Sequence, residues 1–260
     1  MSQSGVAVQV GMLARRSVVR TLRQPLMVVP SLFFPLLLLS INSSGLDSTT
    51  RLPGFPTDHY FQFALAIPFV QGALFSANSA GTNVANDIES GFLNRLALTP
   101  LRRLSLMLGQ LAGILALGMI QAVTFVVVGV AFGSGIAAGV PGALVIIALS
   151  LVISLAFGCI GAFVALRSGT GEAVQGVFPL FFAALFLSSM ALPRNLIETD
   201  WFRTVATYNP VSYMLEAIRS LVIVGWDPEA LALGFACAGG LAAIALVACS
   251  SALRTRMVRT

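Results

Sequence analysis

The 260-residue sequence contains no lysine and little charge of any kind. Only 10% of its residues are charged, and all 15 of its basic residues are arginine. Without lysine, the chain cannot form a phosphate-binding loop of the G-x-x-x-x-G-K-[ST] type or a lysine Schiff base. The net charge of +5 does not indicate a nucleic-acid partner, because the arginines lie beside long apolar runs, where membrane orientation explains them better.

Cysteine and histidine are also scarce. Cys159, Cys237 and Cys249 fall inside apolar runs without the paired spacing of metal ligands, so we interpret them as small core residues. His59 is the only histidine, and one histidine does not make a metal site. No Ser–His pairing or cluster of acids indicates a membrane-embedded enzyme. The sequence therefore predicts no metal site and no catalytic residue on this chain.

Long apolar runs dominate what remains. Hydrophobic residues make up 57% of the chain and its mean hydropathy is +0.91, which predicts an all-α polytopic membrane protein. Six runs are long enough to span a bilayer. They lie at about 25–44, 61–83, 104–132, 142–166, 173–192 and 230–253. Pro25, Pro30 and Pro35 are expected to kink or break the first of them.

The arginines predict the orientation of these spans. Six spans place both termini on one side of the membrane. With cytoplasmic termini, eleven arginines lie inside: Arg15, Arg16, Arg20, Arg23, Arg95, Arg102, Arg103, Arg167, Arg254, Arg256 and Arg259. Four lie outside: Arg51, Arg194, Arg203 and Arg219. Because cytoplasmic loops carry the excess of arginine, both termini are predicted to be cytoplasmic.

Residues 1–24 form a basic entry to the first span. Arg16, Arg20 and Arg23 share one face of a helix. Arg15-Arg16 followed by an apolar run also resembles a twin-arginine export signal, but five further spans follow it. We therefore predict an amphipathic helix that lies on the cytoplasmic leaflet, in contact with membrane lipid.

The segment NDIESGFLNRLALTPLRR, at 86–103, interrupts the apolar pattern. It holds five charged residues, and the predicted topology places it inside the cell. Asp87 and Glu89 suit the first turn of a helix, where the dipole favours negative charge, and Thr99-Pro100 ends that helix. Its apolar face comprises Ile88, Phe92 and Leu96. The pattern predicts a short interfacial helix, either a connector between spans or a docking element.

The stretch between spans five and six predicts another short helix. Asn209 is a good N-cap, and Pro210 fits the first helical position. About fourteen residues are too few to cross a bilayer, so the helix is re-entrant or interfacial, with Tyr213 at the headgroup level. Glu216 and Arg219 are three residues apart and can meet on its surface. Such a helix is either a lid that packs the outer face or a moving gate.

Span two carries a polar stripe along its inner half. Amides and hydroxyls avoid lipid, so they face either neighbouring helices or a hydrated pathway. The pathway candidates are Gln71, Asn78, Ser79 and Thr82.

These features resemble the type-2 ABC exporter permeases, in particular the daunorubicin-resistance-like branch. The family's loop after span two is matched by Asp87, Glu89, Gly91, Leu93, Arg95, Leu96, Thr99 and Pro100. Phe92 stands where that branch usually has Thr. The entry RRSVVRTLRQP also agrees, as does the stretch 192–226 with its Asn209-Pro210, Tyr213 and Arg219. The resemblance thus extends over nearly the whole chain.

The resemblance implies one ABC-2 type transmembrane domain over residues 1–260, in a bacterial plasma (inner) membrane. Residues 87–100, with Phe92 included, would be a coupling helix seated in a groove of a separate ATP-binding subunit. Two such subunits, which bind ATP and Mg, would act on two permease chains, as a homodimer or heterodimer. This chain would carry no cofactor. Its expected cargo is hydrophobic or amphipathic: a drug, a lipid or a lipid-linked metabolite. Asn209, Pro210, Tyr213, Glu216 and Arg219 are the outer gate candidates.

The rival function is an ion-coupled secondary transporter or a channel. Proton or sodium coupling normally requires ionisable groups inside the membrane. Apart from Arg167 and Glu172, which lie near a cytoplasmic edge, the six runs contain essentially none. The sequence therefore favours the exporter permease.

Overall fold

The computed structural model describes residues 3–97 and 103–258, which form α-helices joined by turns and contain no β-strand. The helices are α1 (Gln3–Leu22), α2 (Pro25–Gly45), α3 (Tyr60–Ala64), α4 (Ala66–Glu89), α5 (Phe92–Ala97), α6 (Arg103–Ala131), α7 (Gly139–Ser168), α8 (Gly171–Phe186), α9 (Asp200–Tyr208), α10 (Pro210–Arg219) and α11 (Pro228–Val258). Two 3₁₀ turns lie at Asp47–Arg51 and Arg194–Leu196, and Ser220–Val224 continues α10 as a π-helix. The predicted all-α class is confirmed.

Within residues 3–97 and 103–258, five helical segments are long and apolar enough to cross a membrane. They are Pro25–Gly45, Tyr60–Glu89, Ser105–Ala131, Gly139–Ser168 and Pro228–Arg256. The predicted fifth span, 173–192, corresponds to α8, an apolar helix of 16 residues. At 1.5 Å per residue it is roughly 24 Å long, shorter than the bilayer core of about 30 Å. The protein is a multi-pass membrane protein, and its six-span count stays a prediction.

The prolines do not break the first span. Helix α2 runs without interruption from Pro25 to Gly45 and includes Pro30 and Pro35. Pro25 occupies the first turn, where a missing N–H has no consequence because helices leave it unpaired. The predicted break is therefore wrong, and the alternative, a kink at these prolines, stays a prediction.

Helix α4 is the centre of the bundle. It packs against α2, α6, α7, α8 and α10, and 83% of its apolar segment is buried, against 17% for α2 and 22% for α11. Its first residues meet α3 and α10 at one end, called here the outer end. Its last residues meet α1 and α5 at the other, called here the inner end. A displacement of α4 therefore reaches most of the bundle.

Two glycines bring α4 and α7 into backbone contact. A Cβ atom added to Gly161 would lie 1.9 Å from the Ala77 carbonyl oxygen, and one added to Gly81 would lie 2.8 Å from the Gly161 carbonyl oxygen. No side chain fits in either gap. Helices α1 and α6 also pack closely at a glycine, because a Cβ atom added to Gly109 would lie 2.6 Å from Cβ of Leu13.

This geometry predicts that Gly161→Ala separates α4 from α7. Because the obstacle is backbone rather than a flexible side chain, we expect the free energy of unfolding to fall by about 3 kcal/mol. Thermal unfolding of the detergent-solubilised protein, followed by circular dichroism, measures the change.

The matched control is Gly239→Ala in α11, where an added Cβ meets nothing within 4 Å. It should leave the melting temperature unchanged or slightly higher, since alanine favours helix. Equal melting temperatures for both variants would contradict the proposed contact.

Candidate functional site

The segment predicted to dock a partner is divided by a break at Gly91. Helix α4 continues to Glu89, Gly91 adopts a positive φ of 68°, and α5 begins at Phe92. Glycine in this conformation commonly ends a helix. Asp87 and Glu89 therefore belong to the last turn of α4. The prediction that they start the short helix is wrong, and Ile88 does not share a helix with Phe92.

Asp87 is held by two arginines of α1. Its Oδ1 accepts a hydrogen bond from Arg16 at 2.9 Å and another from Arg20 at 2.7 Å, and the residue is 9% exposed. A carboxylate at the C-terminal end of a helix opposes the helix dipole. The two guanidinium groups offset that effect and the loss of hydration. We call these three residues the inner clasp.

Arg16 also joins the inner clasp to α5. Its Cζ lies 3.9 Å from the centre of the Phe92 ring, a distance typical of cation–π contacts. The phenylalanine that replaces the family's usual threonine thus has a contact that threonine could not make. Helices α1, α4 and α5 are joined through one side chain.

Glu89 and Arg95, on either side of the break at Gly91, also form hydrogen bonds at helix ends. Glu89 accepts a hydrogen bond from the backbone N–H of Gly171, at the start of α8, at 3.3 Å. The Arg95 guanidinium donates to the carbonyl oxygens of Ser90 and Gly91, at 3.0 and 3.4 Å. Glu89 and Arg95 are both exposed.

The apolar residues of α5 are described in part. Leu93 is buried, at 4% exposed, and Phe92 is partly buried. The Leu96 backbone continues α5, whereas Thr99 and Pro100 lie outside the described residues. The predicted roles of these residues in binding a second subunit stay predictions.

The polar stripe of α4 divides between two surroundings. Ser79 lines a cavity of about 40 Å³ between α1, α4, α6 and α7, a space that also borders Asp87 and Arg20 and can hold water. Gln71 and Asn78 each bury a side-chain oxygen that has no hydrogen-bond partner in the described part of the chain, and so does Thr82. An unpartnered buried oxygen costs about 1–3 kcal/mol, and the choice between a hydrated pathway and helix–helix bonding stays a prediction for these three positions.

At the outer end, the predicted start of α10 is confirmed. Asn209 Oδ1 accepts a hydrogen bond from the Val211 N–H at 3.0 Å, and Pro210 occupies the first turn. The Asn209 side-chain amide also donates to the Ala184 carbonyl oxygen at 2.6 Å. The cap therefore fixes α10 against the end of α8.

The predicted pairing of Glu216 with Arg219 is wrong. The Arg219 guanidinium donates to three backbone carbonyl oxygens, those of Phe63, Ser189 and Met190, at 3.0, 2.6 and 2.6 Å. It also stacks over the Phe63 ring, with 3.6 Å between Cζ and the ring centre. Burial lowers the pKa of Arg219 to about 9, so the group stays charged at neutral pH.

Glu216 pairs instead with an arginine that the sequence did not associate with α10. Its carboxylate lies 2.6 Å from Arg194 and accepts a hydrogen bond from Ser189 at 3.1 Å. Arg194 Cζ lies 4.5 Å from the centre of the Tyr213 ring. Tyr213 donates its hydroxyl to the Thr207 carbonyl oxygen at 3.0 Å. Tyr213 and Glu216 are thus joined through Arg194, and Glu216 and Arg219 are joined through Ser189.

The partners of the charged residues at both ends of the bundle have no signal in the sequence. The spacing of Arg16 and Arg20 at i and i+4 indicates a shared anion, but nothing nearby in the sequence identifies it as Asp87. The hydrogen bond from Ser76 to Gln121 Oε1 at 3.2 Å has no sequence signal, because it joins α4 to α6.

The inner clasp predicts that Asp87→Asn loosens α1. The substitution keeps the shape but removes the charge that Arg16 and Arg20 neutralise. We expect a loss of about 1–3 kcal/mol in the free energy of unfolding, together with faster tryptic cleavage after these arginines. Thermal unfolding and limited proteolysis in detergent measure the two effects.

The same substitution at Asp200 is the control. Asp200 forms an exposed ion pair with Arg203 three residues on, a kind of pair that contributes little. If Asp87→Asn is no more harmful than Asp200→Asn, the inner clasp does not hold α1.

Comparison with known proteins agrees with this architecture. Residues 8–223 match the family model described as ABC-2 type transporter. A probable doxorubicin resistance ABC transporter permease protein, DrrC, of Mycobacterium tuberculosis is 26% identical over 217 residues, which cover 81% of this chain and 75% of that protein. A putative transport permease, ycf38, of Cyanophora paradoxa is 25% identical over 213 residues, covering 80% and 72%.

The matched region includes almost all of α1, the central helix α4, the break at Gly91 and the outer helix α10. It therefore contains both ends of the bundle at which charged side chains join separate helices. The chain belongs to the ABC-2 type transporter family, as a membrane permease subunit.

Proposed function

We propose that this chain is one half of the membrane pore of an ATP-driven exporter, with hydrolysis on separate ATP-binding subunits. The observation that carries the proposal is the position of α5, a short helix joined by a two-residue break to the most buried helix of the bundle. Two ATP-binding subunits, holding ATP and Mg, act on two permease chains, either identical or different. Each ATP-binding subunit binds the α5 helix of one permease chain.

The contacts at the inner end support a mechanical role for α5. Phe92 is tied to α1 through Arg16, and Leu93 is buried against the bundle. A force on α5 therefore acts on α1 and α4 together rather than on a loose loop. Because α4 contacts α7 through their backbones at Gly161, the displacement extends to α7.

The direction of transport and the cargo are further parts of the proposal. The eleven-to-four distribution of arginines supports cytoplasmic termini in the plasma membrane of a bacterium, with the inner end in the cytoplasm. Export of a hydrophobic or amphipathic compound is supported by a relative named for doxorubicin resistance. Its proposed polar contacts along the path are Gln71, Asn78, Ser79 and Thr82, of which Ser79 lines the cavity of about 40 Å³.

Replacing Phe92 tests the docking role. Phe92→Asp introduces charge into the apolar side of α5, so we expect at least about a tenfold loss of the ATP-binding subunit on co-purification, the effect of roughly 1.4 kcal/mol. Transport by reconstituted vesicles should fall in parallel, while the melting temperature of the permease alone changes little.

Two variants separate docking from other causes. Phe92→Leu keeps an apolar side chain but loses the contact with Arg16, and it should retain the ATP-binding subunit. Thr255→Asp adds a carboxylate at an exposed position of α11 and should behave as the wild type. Full retention of the subunit and of transport in Phe92→Asp would refute a docking role for this residue.

We further propose that α10 moves as an outer gate, and Glu216 is the position that tests it. Glu216→Gln weakens the ion pair with Arg194, which is partly exposed, without leaving a cavity. A bias of about 1 kcal/mol between closed and open states changes basal ATPase activity or efflux by about fivefold, with normal expression and subunit association.

Arg219 should respond differently. Arg219→Ala leaves three buried carbonyl oxygens without donors, so loss of expression is expected, whereas Arg203→Ala at an exposed site is tolerated.

Wild-type ATPase activity and efflux in Glu216→Gln would show that the Glu216–Arg194 pair belongs to a static lid.

A further inference from the structure

The outer end contains a cavity to which the proposed function assigns no role. It has a volume of about 430 Å³ and lies between the turn at Arg194–Leu196, helix α10 with its π-helical continuation, and the start of α11. A second cavity of about 220 Å³ adjoins it, and both are lined by Arg194, Glu216 and Asp227. We call the two together the outer cavity.

One positive charge of the outer cavity has no matching negative charge. Arg219 lines the cavity, is 5% exposed and forms no ion pair with any residue of 3–97 or 103–258. The nearby charge of Glu216 is matched by Arg194 at 2.6 Å. Three of the five N–H groups of Arg219 donate to backbone carbonyl oxygens, and two remain. A buried cation of this kind favours an anionic group as its neighbour.

The opposite side of the outer cavity carries unmatched negative charge. Asp227 and Glu229 line the smaller cavity, and within the described residues neither carboxylate forms an ion pair. Asp227 Oδ1 accepts hydrogen bonds from the N–H groups of Glu229 and Ala230, both at 3.1 Å, so its position is fixed at the start of α11. Arg219 and Asp227 line the larger cavity, and Asp227 and Glu229 line the smaller cavity that adjoins it. A buried cation and two carboxylates therefore border the outer cavity.

The surroundings place this space at the level of lipid headgroups. Trp226, next to Asp227, is 56% exposed, and Val224 is 74% exposed. Exposed tryptophan is typical of the membrane–water boundary. Phe63, Ile223 and Val224 give the cavity apolar walls. A molecule with an apolar tail and a charged head can therefore enter from the bilayer.

We infer that the outer cavity binds a zwitterionic amphiphile whose headgroup carries a phosphate and a primary amine. The phosphate lies toward Arg219, and the ammonium toward Asp227 and Glu229. A primary ammonium donates three hydrogen bonds, which two carboxylates can accept. A quaternary ammonium has none to donate, and a glycerol headgroup carries no positive charge.

The experiment uses the full-length permease in detergent, without an ATP-binding subunit, so its outcome is independent of coupling. Native mass spectrometry measures binding of phosphatidylethanolamine, phosphatidylcholine and phosphatidylglycerol with identical acyl chains. We expect phosphatidylethanolamine to bind about tenfold more tightly than either of the others. In the double variant Asp227→Asn with Glu229→Gln, the preference should shrink to about twofold or less. Asparagine still caps α11.

The control is Asp58→Asn, an exposed acid that does not line the outer cavity, and it should keep the preference. Soluble glycerophosphoethanolamine distinguishes the source of the ligand. If it competes with phosphatidylethanolamine at equal concentration, the outer cavity recognises the proposed headgroup and the ligand is water-soluble. If it does not, the ligand is a bilayer lipid. Equal binding of the three lipids by the wild type, or an undiminished preference in the double variant, would overturn the inference.

Discussion

The inner end of this permease depends on the neutralisation of one buried carboxylate. Asp87 lies in the last turn of the central helix, where the helix dipole opposes a negative charge and little water reaches it. Arg16 and Arg20 supply the opposite charge, which draws α1 against α4. Arg16 then contacts Phe92 as well. One electrostatic requirement thus joins the entry helix, the central helix and α5 into a unit that can receive a force.

At the outer end of the bundle, the buried charged group is a cation, Arg219. Arg219 donates hydrogen bonds to carbonyl oxygens and forms no ion pair with a described carboxylate. The carbonyl groups of Ser189 and Met190 follow the end of α8, while that of Phe63 lies in the last turn of α3. Carbonyl groups at helix ends lack partners and carry the negative end of the dipole. A single guanidinium therefore joins α10 to α3 and to the segment that follows α8.

Sequence reasoning reached the features that neighbouring residues encode. The all-α class and the capped start at Asn209 follow from local composition and spacing. The partners of Asp87 and Arg219 do not, since Arg20 lies 67 residues from Asp87, and Phe63 lies 156 from Arg219. The break at Gly91 was missed for a different reason. Asp87 and Glu89 suit the first turn of a helix, but Gly91, two residues after Glu89, is equally a signal for the end of the preceding helix.

The contacts around α4 differ in how they resist movement. Against α7, backbone meets backbone at Gly161, so sliding would drive atoms into one another. Against α2 and α8, part of the contact is made by ring edges, with Phe75 centred 5.9 Å from Phe34 and 5.5 Å from Phe178. Helix α8 also approaches α4 closely where Val174 meets Gly81. The aromatic pairs are weak and tolerate a range of distances. We therefore expect a displacement of α4 to carry α7 with it and to change the aromatic packing against α2 and α8. Asn78 and Thr82 follow Phe75 at helical spacing and lie on this side of α4.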